Sequence, residues 1–229
     1  MLTIRRAQVR ETLDELVEPG STALVVIDMQ NDLCHADGAF AAAGADISAY
    51  PPIVPTISSL VDAARAAGVL IIWVRVTSSQ TALFQSPAQL RFELRMKNTY
   101  GRSEQPEFDF AAPGTWGHEF LDGLGHRDGD AVVDKRRSSG FAGTDLDMLL
   151  RSNGIESIVV TGCTTEGCVD STIRDAVSRD YYVTLVRDGV ASDDRSLHEA
   201  AMHVLTAYRC DHATAAEIGQ AWAQAGAAQ

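Results

Sequence analysis

What most constrains this chain is the alternation of short, unpatterned apolar runs with segments of helical period. Apolar runs fall at residues 23–27, 69–74, 131–133, 157–161 and 183–186, with a weaker one at 210–214. They are too short for helices and lack polar alternation, the signature of strands buried on both faces of a parallel sheet. Between them the period changes. Residues 52–67 place Ile53, Ile57, Leu60, Val61 and Ala64 on one helical face and stop at Gly68. Thr144 is placed to cap a helix over 145–152, striped by Leu146, Leu149 and Leu150. Further helices are expected at 168–179, 197–208 and 215–224. Such alternation predicts a doubly wound α/β fold with right-handed crossovers and a mainly parallel, six-stranded sheet in the order 3-2-1-4-5-6. Residues 21–229 are expected to form one domain, preceded by an arm over 1–20.

Composition narrows the class of partner. A formal charge of −12 argues against nucleic acid or an anionic membrane surface. No apolar run approaches the ~20 residues of a membrane span. The first residues, MLTIRRAQVRETLDELVEPG, lack the apolar core of a secretion signal. Cys34, Cys163, Cys168 and Cys210 show neither disulfide-framework nor zinc-ligand spacing. The expectation is a cytoplasmic protein acting on a small molecule.

In the predicted order the first and fourth strands lie side by side at the topological switch point, where ligands bind beyond the carboxyl ends of the strands. The first strand delivers Asp28 there and the third ends in Asp134 and Lys135. The fourth runs through a polar turn into a helix expected to open at Cys168. A thiol at a helix start meets unpaired N–H groups and the positive end of the macrodipole, which lowers its pKa and favours the nucleophilic thiolate. A charged residue ending a strand ordinarily marks only the chain reaching solvent, and a free cysteine ordinarily fills core space. Three such residues converging on one crevice carry more weight.

The segments that supply them, VVIDMQND, VVDKRRSSGFAGTDLDMLL and TGCTTEGCVDSTIRDA, together with VTLVRDGVAS, resemble the isochorismatase-like cysteine hydrolases. The resemblance spans roughly residues 20–215. It implies a Rossmann-like three-layer αβα fold and a catalytic triad of Asp28, Lys135 and Cys168. It also implies a cis peptide between Cys163 and Thr164, with the Thr164 and Cys168 N–H groups as the oxyanion hole. Asp28 would take the thiol proton and return it to the leaving amine. Lys135 would stabilise the neighbouring negative charge. Cys168 would attack a carbonyl, ammonia or an amine would leave, and water would hydrolyse the thioester.

Cys168 favours an amidase over the family's vinyl-ether hydrolases, which lack the nucleophile. Nicotinamidases of the family carry histidine metal ligands after the second strand. Here that stretch reads WVRVTSSQTALFQ, so no metal or other cofactor is expected. The match is nearest the branch acting on linear ureides: ureidoacrylate amidohydrolase, N-carbamoylsarcosine amidase and biuret hydrolase. A nicotinamidase without metal and a catalytically silent binding module are the alternatives. A homodimer or homotetramer is expected.

Residues 77–130 are long for a connection and rich in aromatics, Phe84, Phe92, Tyr100, Phe108, Phe110 and Trp116 among them, as befits a lid or specificity wall. Gln30, Asn31, Trp73, Arg136 and Phe141 are the expected substrate-binding residues. Arg91, Arg95, Arg102 and Arg137 are further candidates for reading a carboxylate. Cys34 and Cys163 are expected to serve packing.

Overall fold

The structure, a computed structural model, describes residues 1–78, 82–99 and 110–227. Its centre is a sheet of six strands: β1 (Thr22–Ile27), β2 (Leu70–Val76), β3 (Ala131–Lys135), β4 (Ser157–Cys163), β5 (Tyr182–Ala191) and β6 (Asp211–Ala213). Spatial order is β3-β2-β1-β4-β5-β6 with every pair parallel, the expected 3-2-1-4-5-6.

The unpatterned apolar runs follow from burial on both sides. In β1, Leu24 and Val26 face one helical layer while Ala23, Val25 and Ile27 face the other, all fully buried. The first layer holds α1 (Val54–Ala66) and α6 (Ala215–Ala227), which bring Ile57, Leu60, Val61, Ile218 and Trp222 onto the sheet. The second holds α3 (Leu146–Ser152) and α4 (Asp170–Val177), with Leu146, Leu150, Ile173 and Ala176. Two further helices of more than two turns are α2 (Pro87–Thr99), in the long connection after β2, and α5 (Arg195–Val204).

The N-terminal arm is tied to this core. After a hairpin of Leu2–Ile4 with Ala7–Val9, a helical turn at Leu13–Leu16 buries Leu16 and Val17. The Trp222 indole donates to the Val17 carbonyl at 2.8 Å, and Ser157 Oγ donates to the carbonyl of Leu16.

One expected boundary moves. The helix after β4 opens not at Cys168 but with a π-helical turn over Thr165–Val169, and α4 follows from Asp170. Gly167 and Val169 N–H both converge on the Thr164 carbonyl, at 3.2 and 3.1 Å. Cys168 therefore sits inside a wide turn, three residues after the helix opens. Just before it, Gly162 (φ +116°) lets β4 close on β1, for a Cβ there would lie 2.0 Å from the Ile27 carbonyl oxygen. The Cys163–Thr164 peptide is cis.

Candidate active site

Asp28 leaves β1 with φ +53°, a left-handed conformation that aspartate tolerates better than most residues. Its N–H still donates to Val74 O on β2 at 2.8 Å, and its carbonyl accepts from Gln30 N–H at 2.8 Å. The thiols of Cys163 and Cys34 approach the same carbonyl at 3.2 and 3.8 Å and lie 3.5 Å from each other. Both are buried, which agrees with a packing role; hydrogen bonding to Cys34 and burial push the Cys163 thiol up. These contacts fix the turn that aims the acid.

Lys135, the last residue of β3, has a fully buried side chain. Its Nζ lies 2.7 Å from Asp28 Oδ2, donates to Cys168 Sγ at 3.1 Å and donates to the Arg137 carbonyl at 3.2 Å. The structure thus brings Asp28, Lys135 and Cys168 to one point at the switch crevice. Burial works against the ammonium, but the Asp28 carboxylate and the Cys168 sulphur outweigh it, so its pKa lies above the ordinary lysine value. Among the described residues neither Asp28 carboxylate oxygen takes a hydrogen bond of regular geometry. Its acceptor positions face the ammonium and the thiol.

The thiol itself corrects an expectation. Burial, then the Asp28 charge, push Cys168 up to about 12, and the counter-effect of Lys135 does not offset them. The reason is charge balance: acid and ammonium already neutralise each other, so a thiolate would leave net negative charge in a buried site. The shift favours the thiol form of Cys168 beside the Asp28 carboxylate.

These groups line a cavity of about 230 Å³, together with Thr164 and Gly167 from the nucleophile turn. Arg136 lines it too, its guanidinium 4.6 Å above the ring of Phe84. Arg137 braces that corner by donating to the carbonyls of Phe84 at 3.0 Å and Arg136 at 2.6 Å.

Other expected ligand-binding residues lie elsewhere. Gln30 is wholly buried and clasps three segments: Oε1 accepts from Val76 N–H at 2.8 Å, while Nε2 donates to Val76 O and His118 O, each at 3.0 Å. Asn31 Nδ2 donates to Trp116 O at 2.8 Å. Trp73 is a core residue whose indole donates to Asp130 at 3.0 Å and packs against Phe120 and His126. Phe141 is buried against Tyr181 beneath the Arg179 guanidinium. None of the four lines the cavity, so the structure assigns them to holding the scaffold. Arg91 and Arg95 are exposed on α2 away from it, and Arg102, Tyr100 and Phe108 fall outside the described residues. Phe84, Phe92 and Phe110 do form a wall of the cavity, whereas Trp116 stacks edge-on with His35. Sequence reasoning missed Phe40 and Met96 on that wall, and Asp193. For Met96 the signal was available, four residues after Phe92 on one helix face. Among the described residues no group of three or more His, Cys, Asp or Glu side chains could hold a metal ion.

An acid, a buried ammonium and a thiol at the carboxyl edge of a parallel sheet define a hydrolase of the cysteine type. The Isochorismatase domain family model matches residues 22–217, and the chain belongs to that family. A cysteine hydrolase from Pseudomonas syringae pv. phaseolicola 1448A is 27% identical, with 97% of this chain and 100% of that one covered and a TM-score of 0.76. N-carbamoylsarcosine amidase from Thermoplasma acidophilum is also 27% identical, over 85% of this chain and 96% of that one, with a TM-score of 0.62. Nicotinamidase/pyrazinamidase from Bacillus subtilis is 26% identical, over 84% and 99%, with a TM-score of 0.68. No described helix is long and apolar enough to cross a membrane.

Proposed function

We propose that the protein hydrolyses the C–N bond of a small linear amide or ureide through a covalent Cys168 intermediate, releasing ammonia. The observation that carries this reading is the buried Lys135 ammonium, 2.7 Å from the Asp28 carboxylate and 3.1 Å from the Cys168 sulphur, at the cavity. Likeness to N-carbamoylsarcosine amidase supports the ureide branch.

As Sγ bonds to the carbonyl carbon, the thiol proton passes to Asp28, and the negative charge that Asp28 gives up reappears on the carbonyl oxygen. The site stays neutral throughout, with Lys135 held beside it. The N–H groups of Thr164 and Cys168 are the donors assigned to that oxyanion. Asp28 then protonates the departing nitrogen, ammonia leaves, and water attacks the thioester (a thiocarbamate when the substrate is a ureide). This sequence draws on no metal or cofactor. Arg136 is the residue assigned to a substrate carboxylate, since its planar fork lines the cavity beside Lys135.

Ammonia release from ureidoacrylate, N-carbamoyl amino acids, biuret and nicotinamide tests the reading, combined with mass spectrometry for an acyl adduct on Cys168. Turnover of a ureide, abolished in Cys168→Ala and untouched by chelators, is the expected result. Preferential turnover of nicotinamide would replace the ureide assignment with a metal-free nicotinamidase. Full activity in Cys168→Ala would overturn the mechanism.

A further inference from the structure

The wall facing the nucleophile has a different chemistry from its floor. Phe40, Phe84, Phe92, Met96 and Phe110 come from four separate segments of the chain, yet all line the one cavity that holds Cys168. Phe92 and Met96 share a face of α2, and Phe40 meets Phe110 edge-on at 5.2 Å. Although they line a cavity, Phe84, Phe92 and Met96 are 53%, 41% and 36% exposed. Large apolar side chains left open together at a cleft mark a surface that a ligand covers.

Resting on the amide-hydrolase reading above, we infer that the group beyond the scissile carbonyl is apolar and of aromatic size. The substrate class is then a primary amide or ureide carrying a phenyl-, benzyl- or branched-alkyl-sized body. Gln85, Gln89 and Glu93 also line the cavity and can meet polar groups, but a wholly polar ureide would leave these rings uncovered. An apolar body covers the rings while its amide or carbamoyl head reaches the triad. The size agrees: an apolar cavity of about 150 Å³ holds a benzene molecule, and the 230 Å³ here leaves room for the head group as well. Because the wall touches the body rather than the reacting atoms, it governs which substrates are captured.

Two matched pairs of compounds test this, N-carbamoylphenylalanine against N-carbamoylglycine and phenylacetamide against acetamide, each assayed by ammonia release. The better-turned-over pair decides. Its phenyl member should show kcat/KM roughly 10- to 100-fold higher, the worth of burying a phenyl group. Phe92→Ala should narrow that ratio about fivefold or more while leaving the melting temperature nearly unchanged, as the side chain is only part-buried. Equal or lower kcat/KM for the phenyl compound would overturn the inference and leave the hydrolase reading standing, as would a ratio untouched by Phe92→Ala. Ammonia from no compound would instead overturn the hydrolase reading. Calorimetry on the wild-type protein then decides the wall by itself: phenylacetamide binding at least tenfold tighter than acetamide supports it, and equal or undetectable binding of both overturns it.

Discussion

The protonation state of Cys168 is open to direct measurement. Burial and the Asp28 charge raise its pKa from an ordinary 9.0 to about 12. Near pH 7 the thiolate fraction is then ~10⁻⁵ rather than ~10⁻², about a thousandfold less. The ultraviolet thiolate absorbance of the wild type minus that of Cys168→Ala should show no step below about pH 10. Iodoacetamide at neutral pH should alkylate Cys168 more slowly than a small free thiol. The same shift sets a stability profile. The unfolded chain ionises first, so the stability conferred by the retained proton is present below pH 9 and is lost as pH rises towards 12. Over that window the wild type should lose up to ~4 kcal/mol relative to Cys168→Ala, three pKa units' worth in chemical denaturation. A thiolate step below pH 9, with alkylation faster than that of the free thiol, would refute the charge-balance account and restore the thiolate expected from a helix start.

Removing the ammonium should be costly in its own right. Lys135→Met leaves the Asp28 carboxylate buried without its partner, so urea unfolding should show a loss of about 3–5 kcal/mol; a loss below about 1 kcal/mol would mean the pair is not a buried ion pair in solution. Gln30→Ala orphans the Val76 N–H and relaxes the clasp on His118, so stability should fall by about 1–3 kcal/mol, whereas a ligand-binding role would leave stability intact and raise KM. Arg136→Gln should raise KM for an acidic substrate by a few-fold to about tenfold, a modest effect because the guanidinium is exposed to solvent. The matching neutral amide should be nearly indifferent, and equal losses on both would remove the carboxylate assignment.

How much of this was legible in the sequence depended on whether a property was local. Strand runs, helix stripes and their order follow from burial on two faces, which is written into neighbouring residues such as Leu24–Val25–Val26, and the sheet order came out as expected. The rim residues were legible because Lys135 ends its strand, Asp28 directly follows one and Cys168 lies in the turn after another, all at the same edge of the sheet. Gln30 misled for the opposite reason. Its closeness to Asp28 suggested substrate, but its partners, Val76 and His118, come from 46 and 88 residues away and leave no local trace. Trp73 and Phe141 likewise point into layers whose packing only the assembled fold decides.

The nucleophile's pKa shows most sharply why local and global readings diverge. Sequence placed Cys168 at a helix start, and dipoles there favour a thiolate. In the assembled site the helix opens three residues earlier, at Thr165, and the only buried cation within reach of the sulphur among the described residues is already matched by Asp28. A lysine that neutralises a carboxylate does not also offset the cost of a thiolate at this half-buried position beside Asp28. In the proposed mechanism it would stabilise the negative charge as that charge moves from Asp28 to the substrate oxygen. In the proposed mechanism a sulphur that had lost its proton to solvent would leave Asp28 none to return to the leaving nitrogen. On the mechanism proposed above, keeping the proton until a carbonyl is in place would tie activation of Cys168 to substrate binding, and Asp28 would serve both halves of the acylation step.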